Sequence, residues 1–162
     1  MHIEKARPDQ IDAILGIYDT ARAFMRKSGN MNQWINGYPQ RELIEDDIRR
    51  GWCHICREGE EILGVFAFLP GEDPTYREIW DGAWPDEEPY HVIHRIASCV
   101  YGRGVARFCF DYCKAHADSL RIDTHEDNIP MQRALAANGF VRCGIIRLEN
   151  GDPRIAYQFS AK

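Results

Sequence analysis

The sequence predicts a mixed α/β fold of the α+β kind, with one central sheet flanked by helices in a single domain of 162 residues. Three stretches point to it. From His91 to Thr124, an apolar strand runs through Gly102-Arg103-Gly104 into an amphipathic helix and then into a second strand. A crossover of this kind makes its two strands parallel and right-handed. Val141–Leu148 and Ile155–Phe159 flank Asn150-Gly151, a pair that favours a tight antiparallel hairpin. Ahead of both, Ile11, Ile14, Leu15, Tyr18 and Met25 recur at helical spacing. A chain of this length holds one real core, since single domains run to about 100–200 residues.

Taken in order, a short strand near Ile3 leads to Pro8, which suits the first turn of a helix reaching about Lys27. Ser28-Gly29-Asn30 breaks that helix, and residues 29–39 form an aromatic loop holding Trp34 and Tyr38. A second helix, about Gln40 to Arg50, is closed by Gly51. Strands Trp52–Arg57 and Ile62–Leu69 are joined by a turn at Glu58-Gly59-Glu60-Glu61. The segment Pro70–Pro89 is rich in proline, acid and aromatics, including Tyr76, Trp80 and Trp84. Connections this long inside a domain are as a rule functional or disordered, and the tryptophans favour order. The parallel unit follows as strand His91–Ser98, helix Gly104–His116 and strand Leu120–Thr124, and Pro130 opens a last helix ending at Gly139.

A formal net charge of −5 argues against a nucleic-acid partner, which would meet a basic face. No apolar run approaches the roughly 20 residues needed to cross a bilayer, so no membrane partner is expected. Met1-His2-Ile3-Glu4-Lys5 lacks the basic-then-apolar pattern of a signal peptide, and the expected location is cytoplasmic. Cysteines 53, 56, 99, 109, 113 and 143 are expected to be reduced fillers of the core. Cys53 and Cys56 form a C-x-x-C inside a strand, where alternation sends them to opposite faces, and no second such pair completes a zinc site.

A strand, a glycine turn and a helix start aim several backbone N–H groups at one point, a ready seat for a phosphate-bearing ligand. Gly102 and Gly104 permit the tight turn and a close approach of that ligand. The third glycine of a dinucleotide fingerprint would fall on Arg107, and the Gly-Lys-Ser/Thr of a P-loop is missing. On the glycines alone, a plain turn is an equally good reading.

With its surroundings, the stretch resembles the GCN5-related N-acetyltransferase (GNAT) superfamily, over nearly the whole chain. The superfamily pattern Q/R-x-x-G-x-G/A, at the start of the helix after the fourth strand, reads here Cys99-Val100-Tyr101-Gly102-Arg103-Gly104. Both glycine positions match; the first position does not, and the loop after Ile96-Ala97-Ser98 is about two residues shorter than usual. The element order also matches: a strand, two helices, three strands, then helix-strand-helix-strand-strand. His94-Arg95-Ile96-Ala97, Asp123-Thr124-His125-Glu126-Asp127-Asn128 and the Gly139-Phe140 corner look like a bacterial subgroup. The resemblance implies a mainly antiparallel sheet of about seven strands with about four helices, the fourth and fifth strands parallel and splayed apart to admit acetyl-coenzyme A.

It also implies the site. Backbone groups of Ile96, Ala97 and Ser98 would extend the sheet onto pantetheine, and Asn128 would stand beside that arm. Gly102, Arg103, Gly104, Val105, Ala106 and Arg107 would seat the pyrophosphate, with Arg103 and Arg107 either adding charge or standing as solvated arginines. The implied reaction is direct transfer of acetyl from the thioester to the primary amine of a small acceptor, amino-acid-like or polyamine-like. An amine attacks only when neutral, so a base must take its proton, and an acid can protonate the leaving thiolate. The superfamily often uses a tyrosine of the last helix as that acid; counted back from Gly139-Phe140, the position is Leu135. That residue also leaves open a second function, an acyl-coenzyme A sensor that performs no transfer.

His94 and His125, on or just beyond the splayed strands, are candidate bases; each also reads as a structural group, His125 pinning the turn before Asn128. Glu78 and Asp81 are the next candidates. His91, His94, Asp123, His125 and Asp127 follow no zinc-protease or calcium-loop spacing, and no metal is expected. The acceptor would lie where the Trp34–Tyr38 and Trp80–Tyr90 loops meet. Trp34, Tyr38, Asp81 and Trp84, with Glu78, Glu87 and Glu88, suit a small cationic amine, although Trp34 and Trp84 read equally well as plugs at the sheet edge. Exposed aromatics around 80–90 would also serve a homodimer contact.

Overall fold

The computed structural model describes residues 1–161. Its strands are β1 (His2–Lys5), β2 (Cys53–Glu58), β3 (Glu61–Pro70), β4 (His91–Ser98), β5 (Ser119–Thr124), β6 (Val141–Arg147) and β7 (Pro153–Ser160). Its helices are α1 (Ile11–Lys27), α2 (Arg41–Arg49), α3 (Val105–His116) and α4 (Ile129–Ala137). The seven strands join in the order β1-β2-β3-β4-β5-β7-β6, antiparallel throughout except for β4 and β5. This is the α+β sheet that the sequence predicts. Among the described residues, no helix is long and apolar enough to cross a membrane.

Strand alternation builds two cores. On one face, α1 buries Ile11, Ile14, Ile17, Tyr18 and Ala21 against Cys53, Ile55, Val65 and Ala97, with α2 alongside. On the other face, α3 and α4 cover Cys56, Phe66, Ile93, Leu120, Ile122 and Tyr157. Cys53 and Cys56 therefore enter different cores, and all six cysteines are free thiols. Pro8 starts a single 3-10 turn, Pro8–Gln10, and the α-helix proper begins at Ile11.

Helices α1 and α2 cover only part of their face; the segment 70–90 straps the rest. Tyr76, Trp84 and Tyr90 pack on Val92, Ile146 and Ala156. Arg121, buried on β5, lies between the rings of Trp84 and Tyr90 at 4.0 and 4.1 Å. It also donates to Gln158 Oε1 at 2.9 Å and to the Asp86 carbonyl at 3.0 Å. A desolvated cation–π contact contributes about 2 kcal/mol, so one arginine fastens the strap to the sheet. At its far end, Trp80 exchanges two backbone hydrogen bonds with Ile145 on β6, of 2.8 and 2.7 Å.

Two irregularities position the site. The β4–β5 ladder holds only at His91↔Leu120 and Val92↔Arg121, after which the two strands run on toward Ser98 and Thr124 without pairing to each other. Against β3, Ala67 pairs with His94 and Val65 with Ala97, so Phe66 alone faces both Arg95 and Ile96. This is a bulge, and Arg95 holds a left-handed φ of 52° within it. A bulge bends its strand and increases its twist, which carries β4 away from β5.

Helix α3 then starts hard against β3. A Cβ on Gly64 would lie 2.7 Å from Val105 Cγ1 and 3.1 Å from the Ala97 carbonyl oxygen. Gly64→Ala is therefore expected to lower stability by about 1–3 kcal/mol in urea denaturation. An unchanged midpoint would show that the start of α3 is not pinned to the sheet.

Candidate active site

Two chambers open where β4 and β5 part. The larger, of about 580 Å³, lies between the 33–40 loop, the strap and the β6–β7 hairpin. The smaller, of about 320 Å³, lies between α1, the start of α3 and α4. Met25, Ile96, Asn128 and Met131 line both, so the chambers meet in the gap between the strands.

The smaller chamber is built mainly from backbone. Gly102 and Gly104 take φ of 76° and 73°, a region that a side chain would make costly, and Gly104 caps α3. The first helical amide to find a carbonyl is that of Phe108, on Gly104 at 3.0 Å. Val105, Ala106 and Arg107 line the chamber, and their N–H groups precede any helical acceptor. Together with the helix dipole they make a concave donor for an anion. Ile96, Ala97 and Ser98 supply the opposite wall from the unpaired edge of β4. Phe24 and Tyr101, stacked 4.0 Å apart, cover the outside.

The two arginines separate. Arg107 lines the chamber, whereas Arg103 turns to Glu58 at 2.9 Å and lines neither space. Asn128 stands at the junction, its side chain engaged by the protein: Oδ1 accepts from the Met131 amide at 3.1 Å, and Nδ2 donates to Gln33 Oε1 at 2.9 Å. Asn30 donates to the same Gln33 oxygen at 2.8 Å, while Arg26 ties down the carbonyls of Asn30, Gln33 and Trp34 at 2.8–2.9 Å. The loop carrying Trp34 and Tyr38 is thereby held against the gap, and both rings line the larger chamber.

Side chains dominate the larger chamber. Arg95 donates from Nε and Nη2 to the two oxygens of Asp47 on α2, both at 2.9 Å, and from Nη1 to Tyr38 Oη at 3.3 Å. Its carbonyl accepts the Tyr18 hydroxyl at 2.7 Å. Burial alone would lower the guanidinium, but Tyr38 and the paired carboxylate drive it the other way, above its ordinary value.

Beside Arg95, His94 Nε2 lies 2.7 Å from Asp73 Oδ2. Asp73 Oδ1 accepts from the Thr75 amide at 2.9 Å and the Thr75 hydroxyl at 2.7 Å. Burial would raise the Asp73 carboxyl; the hydrogen bond and charge of His94, with the two bonds from Thr75, outweigh it and hold the pKa at about 2. An ionised carboxylate only accepts, which assigns the Nε2 proton to His94 and leaves Nδ1 without a partner among the described residues. Asp123, on β5, accepts the hydroxyl of the wholly buried Tyr76 at 2.7 Å. Desolvation, then the Asp123 charge, pushes that phenol far up, so it stays a donor.

Several expected residues lie elsewhere. His125 Nδ1 accepts the Asp127 amide at 3.0 Å, which pins the turn before α4, and the ring lines neither chamber. Glu78 and Asp81 are exposed on the strap and line neither chamber. Trp84 is spent beneath it, with Nε1 donating to the Tyr76 carbonyl at 2.8 Å. Leu135 is wholly buried in the α3/α4 core. The α4 side chains that do reach the chambers, such as Met131 and Ala134, include no acid. Among the described residues no group of three histidine, cysteine or carboxylate side chains is arranged to hold a metal, and His91 stacks on Phe68 at 4.9 Å. Asp73, absent from the expected set, carries a local signal: Asp73-Pro74-Thr75 is an Asx-type turn opener. Its pairing with His94, 21 positions on, has none.

Solved structures share this architecture. A GNAT-family acetyltransferase from Streptococcus agalactiae matches with a TM-score of 0.91 and 35% identity, over 99% of this chain and 95% of that one. A GNAT-family acetyltransferase from Bacillus cereus gives 0.66 and 25% over 99% and 97%. One from Listeria monocytogenes, at 0.71 and 18% over 98% and 94%, shows the fold alone. No protein-family model and no curated protein matches the chain.

Because its folded pKa is depressed, Asp73 adds stability above about pH 4 that is lost as pH falls toward 2. The stability difference between wild type and Asp73→Asn should therefore shrink by about 2 kcal/mol across urea denaturations between about pH 5 and pH 2.5. A difference that stays constant over that range would contradict the ionised pair.

Proposed function

The chain belongs to the GNAT family of acetyltransferases, and we propose that it transfers the acetyl group of acetyl-coenzyme A directly to a primary amine of a small acceptor. The observation that carries this reading is the meeting of two chambers of unlike chemistry in the gap between β4 and β5. One offers unpaired amides and a helix dipole, which suit a pyrophosphate with an amide-bearing arm. The other offers an oriented imidazole, carboxylates and aromatic walls, which suit an amine.

In this reading the amides of Val105, Ala106 and Arg107 hold the diphosphate, and the free edge of β4 at Ile96–Ser98 hydrogen-bonds the arm as an added strand would. The thioester then arrives near Ile96, beside His94. His94 Nδ1 first takes a proton from the entering ammonium; the neutral amine nitrogen then bonds the acyl carbon as the carbon–sulfur bond breaks, and the nitrogen's second proton leaves through water. Asp73 keeps the ring oriented and stabilises the imidazolium that results. With no acid on α4 in reach, the thiolate draws its proton from water. Such a base contributes about 10²–10⁴-fold in rate. Asp73 and Asp123 favour entry of the acceptor as an ammonium ion. A cytoplasmic location belongs to the same proposal and suits six free thiols.

The burial of Leu135 favours one rival, an acyl-coenzyme A sensor that binds without transfer. Heat denaturation with acetyl-coenzyme A, joined to thiol release across an amine panel, separates the readings. A native-state ligand at 100 times its Kd stabilises by about 2.7 kcal/mol, so the midpoint should rise. Wild type should release thiol, and His94→Gln should keep the rise while kcat falls on the order of 10²-fold or more. A rise without turnover on any amine would select the sensor. No rise at millimolar ligand would exclude both.

A further inference from the structure

Resting on the transferase reading above, we infer that the acceptor carries a carboxylate as well as its amine, that it is of the amino-acid class, and that Arg154 is the residue that holds that carboxylate. Arg154 lies on β7, is 8% exposed and lines the larger chamber. Among the described residues its guanidinium makes one hydrogen bond, from Nη1 to the adjacent Pro153 carbonyl at 2.8 Å. No carboxylate among the described residues pairs with it, although the group has five N–H donors.

The other interior arginines are spent. Arg95 is forked onto Asp47, and Arg121 is shared among Gln158, Asp86 and two rings. Burying an unpaired charge is costly, so an interior guanidinium that keeps its donors free against a cavity is arranged for an anion from outside. Burial accordingly lowers its pKa, and the charges of Asp123 and Asp152 offset this only in part. Thr124 lines the same space, and its buried hydroxyl has no partner among the described residues.

The register shows why Asp123, the acid across on β5, leaves Arg154 free. Ala156 pairs with Asp123, and Arg154 stands two residues further along β7 on the same face, a diagonal of about 7–8 Å. Asp123 is moreover held by Tyr76. Across this face the chamber presents an imidazole on β4, a carboxylate on β5 and a guanidinium on β7. A planar guanidinium fork matches a carboxylate. Asp123, with Glu149 and Asp152 at the rim, disfavours a doubly charged phosphate and suits a zwitterion. The acidic loop residues that suggested a simple cation, Glu78 and Asp81, lie outside.

The test uses the full chain with acetyl-coenzyme A and the proteinogenic amino acids, each beside its carboxamide and its decarboxylated amine, read by thiol release. At least one amino acid should be accepted with kcat/KM on the order of 100-fold above both neutralised partners. Arg154→Met should collapse that ratio toward one, chiefly through KM, and Arg154→Lys should keep part of it, since charge remains while the fork is lost. The rise in midpoint with acetyl-coenzyme A reports that each variant is folded; should Arg154→Met fail it, the lysine variant carries the comparison. Carboxamides or decarboxylated amines that serve as well as amino acids, a preference that survives Arg154→Met, or no accepted amino acid would overturn the inference. If wild type lacks the acetyl-coenzyme A rise, or shows it without thiol release on any amine, the transferase reading itself fails; if wild type releases thiol with amines but without a carboxylate preference, only this inference does.

Discussion

The site depends on a buried ion pair that holds one strand out of shape. Arg95 sits in the left-handed region in mid-strand, a conformation that costs a non-glycine residue about 1–3 kcal/mol. Two hydrogen bonds to Asp47, one to Tyr38 and one from Tyr18 to the Arg95 carbonyl over-determine it. A buried ion pair often adds little net stability, but losing one partner strands a charge, so its effect here is to make the bulge non-negotiable. From the bulge follow the bend in β4, its departure from β5, and a free strand edge in the middle of a sheet. The same bulge places consecutive residues, His94 and Arg95, on the wall of one chamber.

The two chambers are built from different materials. The donor side uses backbone: glycines with positive φ, the open amides of α3 and the edge of β4. The acceptor side uses side chains gathered from the 33–40 loop, the strap, three strands and a hairpin. A backbone site tolerates many sequences provided the turn forms, whereas a side-chain site changes with each substitution. One architecture can thus keep its donor while the acceptor varies.

That division also explains what could be read from the sequence. Strand β4 was legible to its ends because an apolar run bounded by turn residues admits little else, and the glycine turn before α3 declared its backbone directly. Trp34 and Tyr38 were legible because a short loop between two helices has few places to go. The strap was not: its acids and aromatics gave its composition but not which way it lay, and Trp84 proved to be a fastener under Arg121. Asp73 with His94 and Asp47 with Arg95 join residues 21 and 48 positions apart, beyond the reach of any local pattern. Arg154 fell just outside the strand read from the sequence, Ile155–Phe159, and no local pattern reveals whether a buried charge has a partner.

The central claim is that the gap between β4 and β5, with the start of α3, is a seat for coenzyme A. Amide hydrogen exchange, followed residue by residue with and without coenzyme A, tests it most directly. The account predicts new protection concentrated at Ile96–Ser98 and Val105–Arg107, with the outer strands β1 and β6 unchanged. Protection confined to the strap or the β6–β7 hairpin, or none at saturating ligand, would contradict it.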